Sequence, residues 1–130
     1  MGLADGGELE FGEVAVACAD GEPHVAVVEL RRPPDNSIDI DLVRSIADAF
    51  EHLEADPTVR AIVLCSAGKH FCAGARLGGS SDPIAAAATL GHNPLYAQAV
   101  RLFEGSIPVV AAAHGTTAGG GVLAAIAQER

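Results

Sequence analysis

Apolar residues fall into a few blocks along the chain, and the spacing within each block predicts an element. Phe11, Val14, Val16 and Cys18 alternate imperfectly with smaller residues, and beyond Asp20-Gly21 an apolar run extends from Val25 to Leu30. Two extended runs on either side of an Asp-Gly pair predict a β-hairpin, because that pair tolerates the backbone angles of a tight turn. Pro33-Pro34-Asp35-Asn36 breaks the pattern. Leu42, Val43, Ile46, Phe50 and Leu53 then recur at three- and four-residue intervals, predicting an amphipathic helix between residues 39 and 54 with Ser37 or Asp39 as its cap. Pro57 ends that element. Arg60 to Cys65, short and rich in β-branched residues, predicts a buried strand.

Ser66 to Gly79 reads as a glycine-punctuated loop. Asp82-Pro83 and Asn93-Pro94 each join a capping residue to proline at a first helical position, which predicts two short helices broken at Gly91. Ile107 to Ala113 predicts the next strand, with Pro108 tolerated near its start. A glycine loop and a final helix follow. Val122 to Ala127 is apolar on every side, the pattern of a helix surrounded by protein. Strands interleaved with helices argue for an α/β chain, and 130 residues suit one domain or part of one.

Composition narrows the partners. Hydrophobic residues make up 49% of the chain and aromatic ones only 4%, as expected of buried strands and small-residue helices. Seventeen Asp and Glu against eight Lys and Arg leave a net charge of −9 with no basic run, which argues against a nucleic-acid partner. Cys18, Cys65 and Cys72 are odd in number and lie in apolar contexts, so they read as reduced thiols of a cytoplasmic protein. The opening MGLADGGELEFG is acidic and no apolar core follows it, so no export signal is expected. The uncharged stretch Gly105 to Gln128 contains Pro108, His114 and five glycines, and a strand, loop and helix explain it better than a membrane span.

Two loops carry candidate chemistry. Ala73-Gly74 and Gly119-Gly120-Gly121 each follow an expected strand and supply small residues that let backbone N–H groups approach a ligand closely. The second also opens a helix, where unpaired N–H groups favour negative charge. Such loops suit an oxyanion, and they equally serve as plain tight turns. Gly115 to Gly121 has no lysine for a Walker loop and lacks dinucleotide-fingerprint spacing. Ser66 lacks the leading glycine of a nucleophile elbow. His70 and Cys72 are two potential ligands without a second pair, so a loop histidine and a structural thiol are expected rather than a metal site. His114 either bonds a ligand or satisfies the loop backbone.

Read in order, VAVVELRRPPDNSID, RAIVLCSAGKHFCAGARL and IPVVAAAHGTTAGGGVLAA resemble signatures of the crotonase (enoyl-CoA hydratase/isomerase) family, over about Val25 to Ala125. The resemblance implies the N-terminal part of a crotonase-like spiral of ββα units, a single domain over residues 1–130 that is C-terminally incomplete. It implies an acyl-CoA substrate whose thioester oxygen, on becoming an enolate, is held by the backbone N–H groups of Ala73 and Gly120. Coenzyme A contacts would involve Asn36, Ser37, Phe71 and Ala75, with Arg31, Arg32 and Lys69 as nearby cations for its phosphates. No separate cofactor is implied, since the substrate carries the coenzyme A, and a trimer or hexamer is the implied assembly.

The chain also departs from the family pattern. Family hydratases place a glutamate three residues after the central glycine, where this chain has Leu123, and their second glutamate would lie beyond Arg130. Arg76 replaces a commonly acidic residue. The expectation is an acyl-CoA enzyme of another branch, inactive as a hydratase in this form. The alternative is a non-catalytic acyl-CoA-binding or subunit-interaction protein of the same fold.

Overall fold

The computed structural model describes residues 7–74 and 94–117. The expected helix after Asp82-Pro83, the break at Gly91, the wholly apolar stretch Val122 to Ala127, and the positions Ala75, Arg76, Gly120 and Leu123 lie outside the described residues.

Among the described residues five strands form one mixed sheet in sequence order: β1 (Glu8–Phe11), β2 (Val14–Ala19), β3 (Glu22–Leu30), β4 (Ala61–Ser66) and β5 (Val109–Ala111). The first three pair antiparallel through short turns, and β3, β4 and β5 run parallel. Helix α1 (Ile40–Glu54) makes the crossover from β3 to β4, and α2 (Pro94–Arg101) lies between β4 and β5. Parallel neighbours require such crossovers, because the chain must return to the same end of the sheet.

Period-two patterning decides which face is buried. Val14 and Val16, Ala26, Val28 and Leu30, Ile62 and Leu64, and Val109 stand in register on one face, with Val16 opposite Val28 and Val28 opposite Leu64. Onto that face α1 lays Leu42, Val43, Ile46, Ala47, Phe50 and Leu53, all buried. Fully burying each large aliphatic contributes about 1.5–3 kcal/mol. Asp39 caps α1 as expected, its carboxylate accepting the Leu42 amide at 2.9 Å. Pro94 opens α2 at its first position, also as expected.

Two expectations change. The extended run expected over Phe11 to Cys18 divides between Phe11 and Val14: Phe11 ends β1, whose Leu9 and Phe11 alternate with Glu8 and Glu10 and pack against the core, and β2 begins at Val14. The strand expected over 107 to 113 narrows to Val109–Ala111. Its start is held from outside the sheet, since the Ile107 amide donates to the Glu54 carboxylate at 2.8 Å rather than to a strand. All three cysteines are free thiols. No helix among the described residues is long and apolar enough to cross a membrane.

Candidate functional site

Strands β3, β4 and β5 are parallel, so the segments that follow them emerge along one edge of the sheet. In parallel α/β sheets that edge, outside the carboxyl ends of the strands, is where ligands bind. The segments are 31–39, 67–74 and 112–117.

The middle segment is clamped between the other two by its own backbone. The His70 amide donates to Pro34 O (3.3 Å) and the Ala73 amide to Asp35 O (2.8 Å) on the first segment. The intervening amides turn the other way, Phe71 donating to His114 O (2.8 Å) and Cys72 to Thr116 O (3.1 Å). The Gly74 carbonyl accepts the Ile38 amide at 2.9 Å, and Ser66 Oγ closes the loop on Phe71 O at 2.6 Å.

Glycine is required at two of these approaches. Gly68 has φ +86, and a Cβ there would lie 2.8 Å from the Pro33 ring. Gly115 has φ +58, and its Cβ would overlap the Lys69 carbonyl oxygen. Both conformations are costly for other residues.

Asn36 is the central fastener. It is completely buried at φ 48, and its side-chain amide donates to Ala67 O (2.8 Å) and His70 O (2.7 Å) while Oδ1 accepts the Arg32 amide (2.9 Å). With both Nδ2 protons committed inside the protein, its side chain is a structural post rather than a coenzyme contact. Phe71 is likewise removed from the candidate contacts: it has no exposed surface, and its N–H and C=O are both bonded within the protein.

The cations separate into two kinds. Arg31 is exposed and pairs with Glu8 and, at 2.6 Å, with Glu29. Arg32 is mostly buried and binds Glu13 (3.0 Å), Asp39 (2.9 Å) and the Ser37 carbonyl (2.8 Å). These partners raise both guanidinium pKa values, the Glu29 bond leading for Arg31. For Arg32 burial is the largest single influence and opposes the rise, which the Glu13 and Asp39 bonds outweigh. A phosphate would have to displace a carboxylate from either. Lys69, the third cation, is exposed and forms no ion pair among the described residues.

Ala73 is exposed as a residue, yet its N–H is spent on Asp35 O. One N–H has one proton to give, which corrects its assignment as a thioester donor. Ser37 is half-buried beside Arg32, while Ala75 and Gly120 lie outside the described residues. Both loop histidines meet backbone, which settles the open reading of His114 toward loop support: its Nε2 bonds Gly68 O at 2.8 Å, and His70 Nδ1 bonds the Thr116 amide at 3.0 Å. Cys72 is buried, and burial pushes its thiol pKa up, as expected of a structural thiol. Among the described residues no three His, Cys, Asp or Glu side chains group to hold a metal.

Against known proteins, the family described as enoyl-CoA hydratase/isomerase matches residues 20–129. The mevalonyl-coenzyme A hydratase of Beauveria bassiana is 37% identical over 117 residues, covering 83% of this chain and 42% of that protein. The human peroxisomal bifunctional enzyme is 37% identical over 102 residues, which are 78% of this chain and 13% of that protein. Among solved structures, human mitochondrial delta3-delta2-enoyl-CoA isomerase superposes with a TM-score of 0.70 at 28% identity, over 88% of this chain and 45% of that one. The chain therefore spans less than half the length of each of these proteins.

Proposed function

Because this chain belongs to the enoyl-CoA hydratase/isomerase family, we propose that its three-loop edge binds the thioester of an acyl-CoA and stabilises the enolate formed there with two backbone N–H donors. The donors are the amide that follows Gly74, at Ala75, and the amide of Gly120. The observation that carries this reading is the fate of the preceding amides: those of 70, 71, 72 and 73 are all donated to protein carbonyls, while the Gly74 carbonyl is held by the Ile38 amide.

The chemistry needs little more from the chain. A proton beside a thioester carbonyl leaves more easily when fixed donors await the developing oxyanion, and each such donor is worth roughly 3 kcal/mol. A rigid frame costs no reorganisation during the reaction, and the hydrogen bonds around Asn36 supply that rigidity. Lys69 is the cation proposed to meet a coenzyme A phosphate. The substrate carries the coenzyme A, and no separate cofactor is required. Cytoplasmic location and a trimeric or hexameric assembly belong to the same proposal.

Leu123 favours a second reading. It stands where the family's hydratases carry a glutamate, so a protein that binds acyl-CoA or a neighbouring subunit without turnover is the competing function. Titration of the purified chain with acetoacetyl-CoA tests the first reading. A saturable enolate absorbance band from a folded chain supports the donor pair, whereas a folded chain that gives no band leaves the subunit-interaction reading.

A further inference from the structure

The two histidines at this edge join the same two loops, and they do so with opposite hydrogen-bond polarity. His70, on the loop after β4, receives the Thr116 amide at Nδ1 at 3.0 Å. A backbone N–H only donates, so Nδ1 carries no proton and the ring is the neutral Nε2–H tautomer. His114, on the loop after β5, bonds the Gly68 carbonyl through Nε2 at 2.8 Å. A carbonyl only accepts, so that nitrogen carries its proton and the bond persists when the ring becomes an imidazolium. Protonation therefore spares the His114 link and breaks the His70 link, setting N–H against N–H at Thr116.

We propose that His70 is a positioning residue: an acid-labile latch that holds the loop after β5, at Thr116, in register with the loop after β4. This rests on the thioester reading of the same site. Thr116 lies four positions before Gly120, and the Cys72 amide bonds the Thr116 carbonyl at 3.1 Å, so the peptide groups on both sides of Thr116 are tied to the middle loop. Gly115 lies against Lys69 and His70, so the latch closes where the two backbones already touch. The ionisable groups on the segments that meet His70 are Arg31, Arg32, Asp35 and Asp39 on the first, Lys69 and Cys72 on its own, and His114 on the last.

The test compares the full chain with His70→Asn and His70→Ala from about pH 5 to 8, the range in which histidine changes charge. Asparagine places an oxygen acceptor near the position of Nδ1 and does not titrate. Acetoacetyl-CoA enolises to a pH-dependent extent by itself, so the readout is the ratio of apparent affinities between wild type and His70→Asn. The ratio is expected to be near one at the upper end and to fall about tenfold toward the lower end, the effect of losing one backbone hydrogen bond. His70→Ala is expected to bind more weakly at every pH and with no such fall. Nitrogen and amide resonances supply a readout without ligand: His70 as the Nε2–H tautomer, with the Thr116 amide shifting in step with its titration. A constant ratio overturns the latch, as does a Thr116 amide indifferent to His70. A coupled titration in a folded chain that forms no enolate band sinks the thioester reading and keeps the latch. If His70→Asn does not fold, the wild-type resonances alone decide.

Discussion

The side-chain amide of Asn36 donates to the His70 carbonyl at 2.7 Å, so a residue on the segment after β3 carries the loop after β4. Replacing Asn36 with alanine leaves the carbonyls of Ala67 and His70 without that donor in a buried place and puts an ordinary Cβ residue at φ 48. Urea unfolding is expected to show a loss of about 2–4 kcal/mol, with an unchanged m-value. Asn36→Asp is expected to cost more than alanine, because it aims carboxylate oxygens at two carbonyls.

Arg101 ties α2 to α1. It meets Glu51 with two hydrogen bonds of 2.8 Å, Asp48 at 2.7 Å and Gln98 at 2.7 Å. The hydrogen bond from Arg101 holds the Glu51 carboxyl below its ordinary value of 4.5. A lowered folded value means that this pair stabilises the protein above the unfolded value and stops doing so as pH falls through the folded one. Glu51 is half exposed, which limits the effect to about 1 kcal/mol. Arg101→Met should therefore lose about that much near neutral pH, and the gap to wild type should close below about pH 4. Denaturant midpoints at the two pH values check the sign as well as the size.

The parts of the fold that follow from local pattern were legible in the chain. Leu42, Val43, Ile46, Phe50 and Leu53 predict α1 because helical periodicity is written in neighbours three and four apart, and Asp39 marks its start. Asp20-Gly21 likewise predicts the β2–β3 turn, where Gly21 has φ +73. Strand β1 is not legible in the chain because four residues with Glu8 and Glu10 among them give too short a pattern, and their pairing partner β2 is what makes them a strand. At the site, glycine spacing and the resemblance located the loops but not the bonding within them. Asn36 contacts residues 31 and 34 positions away, and the Ala73 amide meets Asp35, 38 positions before it. Such partners leave no periodic trace, so Asn36, Phe71 and Ala73 looked like ligand contacts before the fold placed them in its frame.

Cys72 offers a probe of that frame. It has no exposed surface, and burial raises its thiol pKa, leaving less thiolate at any given pH. Iodoacetamide at mildly alkaline pH is expected to modify half-buried Cys18 in the native chain and to reach Cys72 only after unfolding. Rapid labelling of native Cys72, read by mass spectrometry, would show that the loop after β4 opens readily and is not a rigid frame.

Gly115 and Gly21 separate conformational strain from collision. Both hold positive φ, +58 and +73, so alanine at either position carries a left-handed penalty of about 1 kcal/mol. A Cβ at Gly21 meets nothing within 4 Å, and Gly21→Ala should show that penalty alone in its unfolding midpoint. A Cβ at Gly115 runs into the Lys69 carbonyl and the His70 ring, which are backbone and an already bonded side chain with little room to yield. Gly115→Ala should cost at least about 2 kcal/mol. It should also pull Thr116 away from His70 Nδ1, weakening the enolate band with acetoacetyl-CoA, whereas Gly21→Ala leaves the band intact. If the two variants lose equal stability and give equal bands, the loops after β4 and β5 do not approach as closely as drawn, and the loop frame cannot set the donor geometry.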